Sequence, residues 1–269
     1  LHDRTHPHPT TTGDRVTTWE ALAVLAAGLG AGTINTIVGS GTLITFPVLL
    51  AVGLPPVTAN VSNTLGLVPG SLSGAFGYRR ELTGQRPRIL LFGTAALLGG
   101  AAGAVLLIAL PSRAFDTIVP VLVGIALVLV VAQPRLAAAL RARRARTGTA
   151  PRRHGGPVLF TGLLLASVYG GYFGAAQGVL YLSMAGLVLD ESLQRLNALK
   201  NVLTLLVNGV AAVLFLFVAH FDWTAVALLA TGSALGGRIG ATLGRRLPPT
   251  ALRTVIVLVG VVAIVQLVR

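Results

Sequence analysis

The chain says nearly the same thing twice in hydrophobic residues, and this restricts it to folds in which two related halves share one core. Leu98-Gly99-Gly100 is followed by Gly103 and Leu110-Pro111; Leu235-Gly236-Gly237 is followed by Gly240 and Leu247-Pro248, each pair 137 residues apart. Around these marks, residues 19–133 and 158–269 run through one order of segments. An overlong apolar stretch broken by small residues comes first, then an Asn-bearing helix, the Leu-Gly-Gly helix and a short apolar helix. Doubled, Gly-rich, apolar halves with interrupted helices are the pattern of a secondary carrier whose site lies between its halves.

Composition settles the solvent. Of 269 residues, 54% are hydrophobic and only 11% charged, against about 25% charged in a soluble domain. With a mean hydropathy of +0.80, the chain has too little polar surface for water and reads as an all-α integral membrane protein. The formal charge of +13 could suggest nucleic acid, but 14 of the 21 Lys and Arg fall in three loops, at 78–88, 134–157 and 244–253. Basic residues beside spans orient them to the cytoplasm, and no aromatic residues interleave with the Arg run. No nucleic-acid partner is expected. The absence of cysteine excludes disulfides and thiolate chemistry. Residues 1–18, with three His and two Pro, read as a flexible tail, without the apolar core of a signal peptide.

A crossing needs about 20 apolar residues at 1.5 Å each. Segments 57–77, 89–109, 117–133, 197–218, 224–243 and 254–268 suit it. Residues 19–52 and 158–189 do not: each exceeds 30 residues, about 50 Å as one helix. Each is interrupted by small and polar residues, Gly39-Ser40-Gly41-Thr42 in one and Gly174-Ala175-Ala176-Gln177-Gly178 in the other. We read each as two short helices meeting at a bend within the membrane, where broken backbone survives only against protein or a wet cavity. With the three basic loops in the cytoplasm, 158–189 must enter and leave by one face, and 19–52 by the other. The expected architecture is therefore two inverted repeats, each a re-entrant hairpin plus three crossings. They comprise 19–133 and 158–269, joined by a basic cytoplasmic linker at 134–157 that serves as a soluble tether. Parallel repeats of four crossings are the competing scheme.

The residues also carry a family resemblance. The run Gly32-Thr-Ile-Asn-Thr-Ile-Val-Gly-Ser-Gly-Thr-Leu-Ile-Thr-Phe-Pro47 is followed by Gly53-Leu-Pro-Pro-Val-Thr-Ala-Asn-Val-Ser-Asn-Thr64. Then come Gly70-Ser-Leu-Ser-Gly74 and Tyr78-Arg-Arg80. This resembles the first repeat of the TauE/SafE sulfite exporter family. Tyr169-Gly-Gly-Tyr-Phe-Gly-Ala-Ala-Gln-Gly178 and Leu196-Asn-Ala-Leu-Lys-Asn201 resemble its second. The resemblance spares only the tail and the Arg linker. It implies a multi-pass inner-membrane carrier of sulfite, sulfoacetate or related organosulfonates, working by export. An uptake carrier for another small organic anion and an anion-selective channel are the alternatives. Ser40 departs from the family, which often has Gly there.

The residues themselves point to an anion. A bend in the membrane exposes helix N-termini, whose free N–H groups favour negative charge. Ser40, Gly41 and Thr42 would open one half-helix, and Gln177 and Gly178 the other. Close packing of small residues is the alternative reading. Asn63 and Asn201, 138 residues apart, must face the bundle interior. There they either donate to substrate oxygens or tie the broken backbone. Lys200 either attracts the anion or snorkels to lipid; Arg238 either offers its donor fork to a sulfonate or snorkels likewise. Asn35, Asn60, Asn197 and Asn208 are weaker candidates, and Ser71 and Ser73 suit packing. Tyr169, Tyr172 and Tyr181 surround the second bend, while Trp19 and Trp223 suit interfacial anchoring. No membrane-embedded carboxylate, phosphate-binding loop, HExxH or nucleophile elbow occurs. No enzyme activity, cofactor or metal is expected; the partners are a small anion and the bilayer, with a homodimer left open.

Overall fold

The computed structural model describes residues 17–147, 155–243 and Leu258. The expected tail at 1–18, apart from Thr17 and Thr18, which begin the first helix, and the crossing at 254–268, apart from Leu258, fall outside the described residues. Nine helices are described: α1 (Thr18–Ile37), α2 (Thr42–Ala51), α3 (Pro56–Gly77), α4 (Arg86–Ala109), α5 (Ser112–Thr147), α6 (Gly156–Tyr172), α7 (Gln177–Val188), α8 (Leu193–Val218) and α9 (Trp223–Leu243). No strand occurs among the described residues. Both overlong stretches break, as α1/α2 and α6/α7.

Local chemistry starts the helices. Thr17 and Glu20 form a capping box at α1, with the Thr17 N–H 2.7 Å from Glu20 Oε2, which satisfies orphan donors of the first turn. Pro56 opens α3 with its fixed φ. Ser192 accepts from the Arg195 N–H at α8, and Asp222 Oδ1 from the Ala225 N–H at 2.7 Å beside α9.

Five described helices are long and apolar enough to cross a membrane: α1, α4, α5 over Ser112–Ala132, α8 and α9. Helix α3, expected as a crossing, has the length but is not among the five. It buries Asn60, Ser62, Asn63, Thr64 and Ser71, polar residues that lower its apolarity and face protein rather than lipid. Helix α5 is a second difference, since it continues unbroken to Thr147. The first half of the basic linker is therefore helix rather than tether. Its run of Ala, Leu and Arg consists of the strongest helix formers, which a reading confined to apolar length passes over. Large apolar side chains such as Leu90, Leu98, Leu165 and Phe217 point outward, as a lipid solvent requires.

Small residues bring the helices together. Helix α1 packs along α9, and α6 packs in the corresponding way along α4. A Cβ on Gly32 would strike the backbone of Ser233, and one on Gly99 the Leu164 carbonyl and Ser167. Cross-helix hydrogen bonds run beside these contacts, from Thr33 Oγ1 to the Gly236 carbonyl (3.1 Å) and from Ser233 Oγ to the Gly66 carbonyl (2.7 Å). In lipid, packing and such bonds replace the hydrophobic effect as the force between helices.

The contacts also fix chain direction. Leu229 faces Gly28 and Gly66, and four residues on Ser233 faces Gly32 and Gly70, so α1, α3 and α9 run the same way. The start of α8 lies at the end of α3, where Arg195 donates to the carbonyls of Glu81 (3.3 Å) and Thr83 (3.0 Å). Asp222, beyond the end of α8, donates its N–H to Ser62 near the start of α3 (3.0 Å). Helices α3 and α8 are therefore antiparallel.

A charged clasp holds the first turn of α4 to the loop before α8. Glu191 binds Arg88 and Arg195, each at 2.5 Å. Burial acts to raise the Glu191 pKa, but the hydrogen bonds and charges of Arg195 and Arg88 outweigh it and hold the carboxyl below its ordinary 4.5. A depressed folded-state pKa gives stability that is present above pH 4.5 and lost as pH falls through the lowered value. We expect Glu191→Gln to cost about 2 kcal/mol at neutral pH and to flatten the fall of the melting temperature below pH 4.5. An acid limb unchanged by the substitution would show that the clasp does not contribute.

Candidate functional site

The two breaks meet. The Gly178 N–H donates to the Gly39 carbonyl at 3.0 Å, joining the start of α7 to the residue that follows α1. A Cβ on either glycine would run into the other's backbone. Gly39 also has φ +89, a conformation that side chains disfavour. The local sequence thus allows both the sharp turn and the contact.

Helix α8 threads this junction. Lys200 is 1% exposed. Its Nζ donates to the carbonyls of Asn35 (2.6 Å) and Thr36 (3.1 Å), in the last turn of α1. Asn197 Nδ2 (3.0 Å) and Asn201 Nδ2 (3.3 Å) reach the Thr36 carbonyl as well. A cation and amide donors complement the negative end of a helix. Helix α3 does the corresponding work for α6: Asn60 Nδ2 donates to the carbonyl of Tyr172, the last residue of that helix, at 3.0 Å. Asn63 instead holds the first turn of α2, donating to Thr42 Oγ1 (3.3 Å) and accepting from Thr45 Oγ1 (2.5 Å).

By bonding, then, Asn60 matches Asn197, at the same 137-residue spacing as the Leu-Gly-Gly marks; by that spacing Lys200 stands where Asn63 does, but it holds the end of α1 and not the start of a half-helix. The 138-residue pairing of Asn63 with Asn201 joins residues that hold different helices. The amide caps at Asn60 and Asn197 carried the decisive spacing in sequence, but it was assigned to their neighbours.

The two half-helix starts differ. At α7, Gln177 donates its N–H to Gly174, Gly178 to Gly39, and Val179 to Ala176. The Gln177 side chain turns to Tyr181 OH (2.6 Å), which bonds Ser167 Oγ (2.6 Å). The N–H groups of Gln177, Gly178 and Val179 are thus satisfied within the protein, whereas those of Ala175 and Ala176 find no acceptor among the described residues. At α2, the N–H groups of Ser40, Gly41 and Thr42 find no acceptor among the described residues. Ser40 is 1% exposed and its Oγ has no partner. Buried polar groups are nearly always paired, so this cluster of donors is conspicuous.

Among the described ion pairs none includes Lys200; their carboxylate is Glu191, bound to Arg88 and Arg195. Arg238 lies apart from the junction, exposed in a groove between α3 and α9. Beside the breaks, Phe46, Phe115, Tyr172 and Phe173 form an aromatic cluster, with Phe46 and Phe173 centroids 5.1 Å apart. Sequence analysis did not single it out, since its members come from α2, α5 and the second break. Among the described residues no group of His, Asp and Glu is arranged to hold a metal ion.

These features define a multi-pass α-helical membrane protein organised around a buried junction of two interrupted helices. The chain belongs to the sulfite exporter TauE/SafE family, whose sequence profile matches residues 24–267. It is 27% identical over 243 residues to a probable membrane transporter protein of Haemophilus influenzae, covering 89% of this chain and 91% of that one. Against the probable membrane transporter protein YfcA of Escherichia coli K12 it is 27% identical over 236 residues, 86% of this chain and 83% of YfcA. The probable membrane transporter protein ORF9 of Sinorhizobium sp. is 26% identical over 251 residues, 91% and 90%. No solved structure matches the chain. The protein is a membrane transporter of this family and not an enzyme, and its spans accord with the inner membrane.

Proposed function

We propose that the protein is a secondary carrier exporting small sulfur-containing anions such as sulfite, sulfoacetate or related organosulfonates. Access alternates around the junction of the two breaks, between inverted repeats at 19–133 and 158–269. The observation that supports this best is the unmatched positive potential of the junction. Lys200 lies there without a carboxylate, beside the free N–H groups of Ser40, Gly41 and Thr42 and the unpartnered Ser40 hydroxyl. An oxyanion accepts from such donors without needing a further cation. The family description supports the sulfur-anion class. The antiparallel course of α3 and α8 and the matched packing of α1 on α9 and α6 on α4 support inversion. In this state the donors are buried, as an occluded carrier requires.

Proteoliposomes loaded with sulfite or sulfoacetate test the reading. Saturable efflux with counterflow is expected. Efflux no faster than from empty vesicles across a panel of sulfur anions would reject it, and unsaturable flux without counterflow would identify a pore. Asn63→Ala frees Thr42 and Thr45 at the open start of α2, and Asn201→Ala removes one donor from the Thr36 carbonyl. Each is expected to lower transport about tenfold, consistent with one hydrogen bond of roughly 1.5 kcal/mol, while the protein remains folded. Unchanged anion affinity in both would misplace the site.

A further inference from the structure

A second group of basic side chains lies away from the breaks. The last two turns of α3, the residues just after it, and the last two turns of α9 enclose a groove of about 890 Å³. One wall is apolar, with Pro69, Leu72 and Phe76, and Leu72 and Phe76 are 56% and 66% exposed. Arg79, Arg80 and Arg238 also line it. The Arg79 guanidinium lies 4.4 Å from the centroid of the Phe76 ring and donates to the Phe76 carbonyl at 3.2 Å. Among the described residues none of the three arginines is paired with a carboxylate. Exposed Leu72 and Phe76 give the groove an apolar edge.

We infer that this groove binds one anionic phospholipid, its phosphate held by Arg79, Arg80 and Arg238 and an acyl chain laid along Leu72 and Phe76. The argument is complementarity of two kinds in one place. Three guanidiniums favour a phosphate through paired donors, and an adjoining apolar wall has no use for a water-soluble anion. Arg79 and Arg80 belong to a basic loop assigned to the cytoplasmic side, the leaflet whose surface is negative. Arg238 thus has a role distinct from that of Lys200, and the inference stands whether or not the junction carries sulfur anions.

Native mass spectrometry of the full-length protein, titrated with phosphatidylglycerol or phosphatidylcholine, tests it. Wild type is expected to bind phosphatidylglycerol at least tenfold more tightly. Each of Arg79→Gln and Arg238→Gln should reduce that preference about fivefold, the effect of one basic residue at an anionic surface. Arg135→Gln, on the exposed extension of α5, should leave it unchanged. Leu72→Ser should weaken both lipids and keep their ratio. Glycerol phosphate at the lipid's concentration should not compete. Equal binding of the two lipids by wild type, or full preference in an Arg79→Gln/Arg238→Gln variant, would overturn the inference. Displacement by glycerol phosphate would identify a site for a free anion instead.

Discussion

Lys200→Met is expected to abolish anion binding at the junction, with a loss of at least a hundredfold in affinity. Among the described residues the Nζ is the cationic centre at the breaks, and a desolvated charge-assisted contact is worth about 3 kcal/mol or more once its partner is removed. The same substitution removes two donors from the Asn35 and Thr36 carbonyls, so structural damage must be separated from lost binding. Asn197 and Asn201 still reach Thr36, and Lys200→Arg restores charge and donors. The expected pattern is an anion-dependent rise in melting temperature in wild type, no rise in Lys200→Met at saturating sulfite, and partial recovery in Lys200→Arg. A full rise in the methionine variant would remove Lys200 from the site.

Gly39→Ala has the largest expected effect on stability. A residue with a Cβ at φ +89 costs about 1–2 kcal/mol in backbone terms, and this Cβ would also run into Gly178. Overpacking adds about 1–3 kcal/mol. Gly53 separates the two contributions: its φ is +90, yet nothing lies within 4 Å of its absent Cβ. In detergent, Gly53→Ala should lower the melting temperature modestly and Gly39→Ala by clearly more. If the two fall equally, the close approach of the breaks does not contribute, and with it goes the basis for a shared site.

The breaks themselves were legible before any coordinates. An apolar run too long for the bilayer must bend, and glycine says where: the helical gaps fall at 38–41 and 173–176, on the glycine clusters. The partners of the asparagines were not legible. On a helix one residue is 100° of rotation, so an offset of 138 in place of 137 turns a side chain to another neighbour. That is why Asn63 and Asn201 hold different helices while Asn60 and Asn197 do matching work. The partners of Gln177 and Gly178 were also hidden, because the Gln177 side chain turns to Tyr181 and the Gly178 N–H is taken by Gly39, both outcomes of packing. Arg238 was placed by depth along its helix, which sequence estimates well. Its face was not, and it points into the outer groove.

The interlacing of α1 with α9 has a consequence for biosynthesis. The glycine-lined face of α1 has no partner until about 190 further residues have been made. At ribosomal rates of about 5–20 residues per second, that wait is on the order of ten to forty seconds. During it, the glycine-lined face of α1 must be sheltered by the insertion machinery or by lipid, so this part of the bundle closes only once α9 has been made.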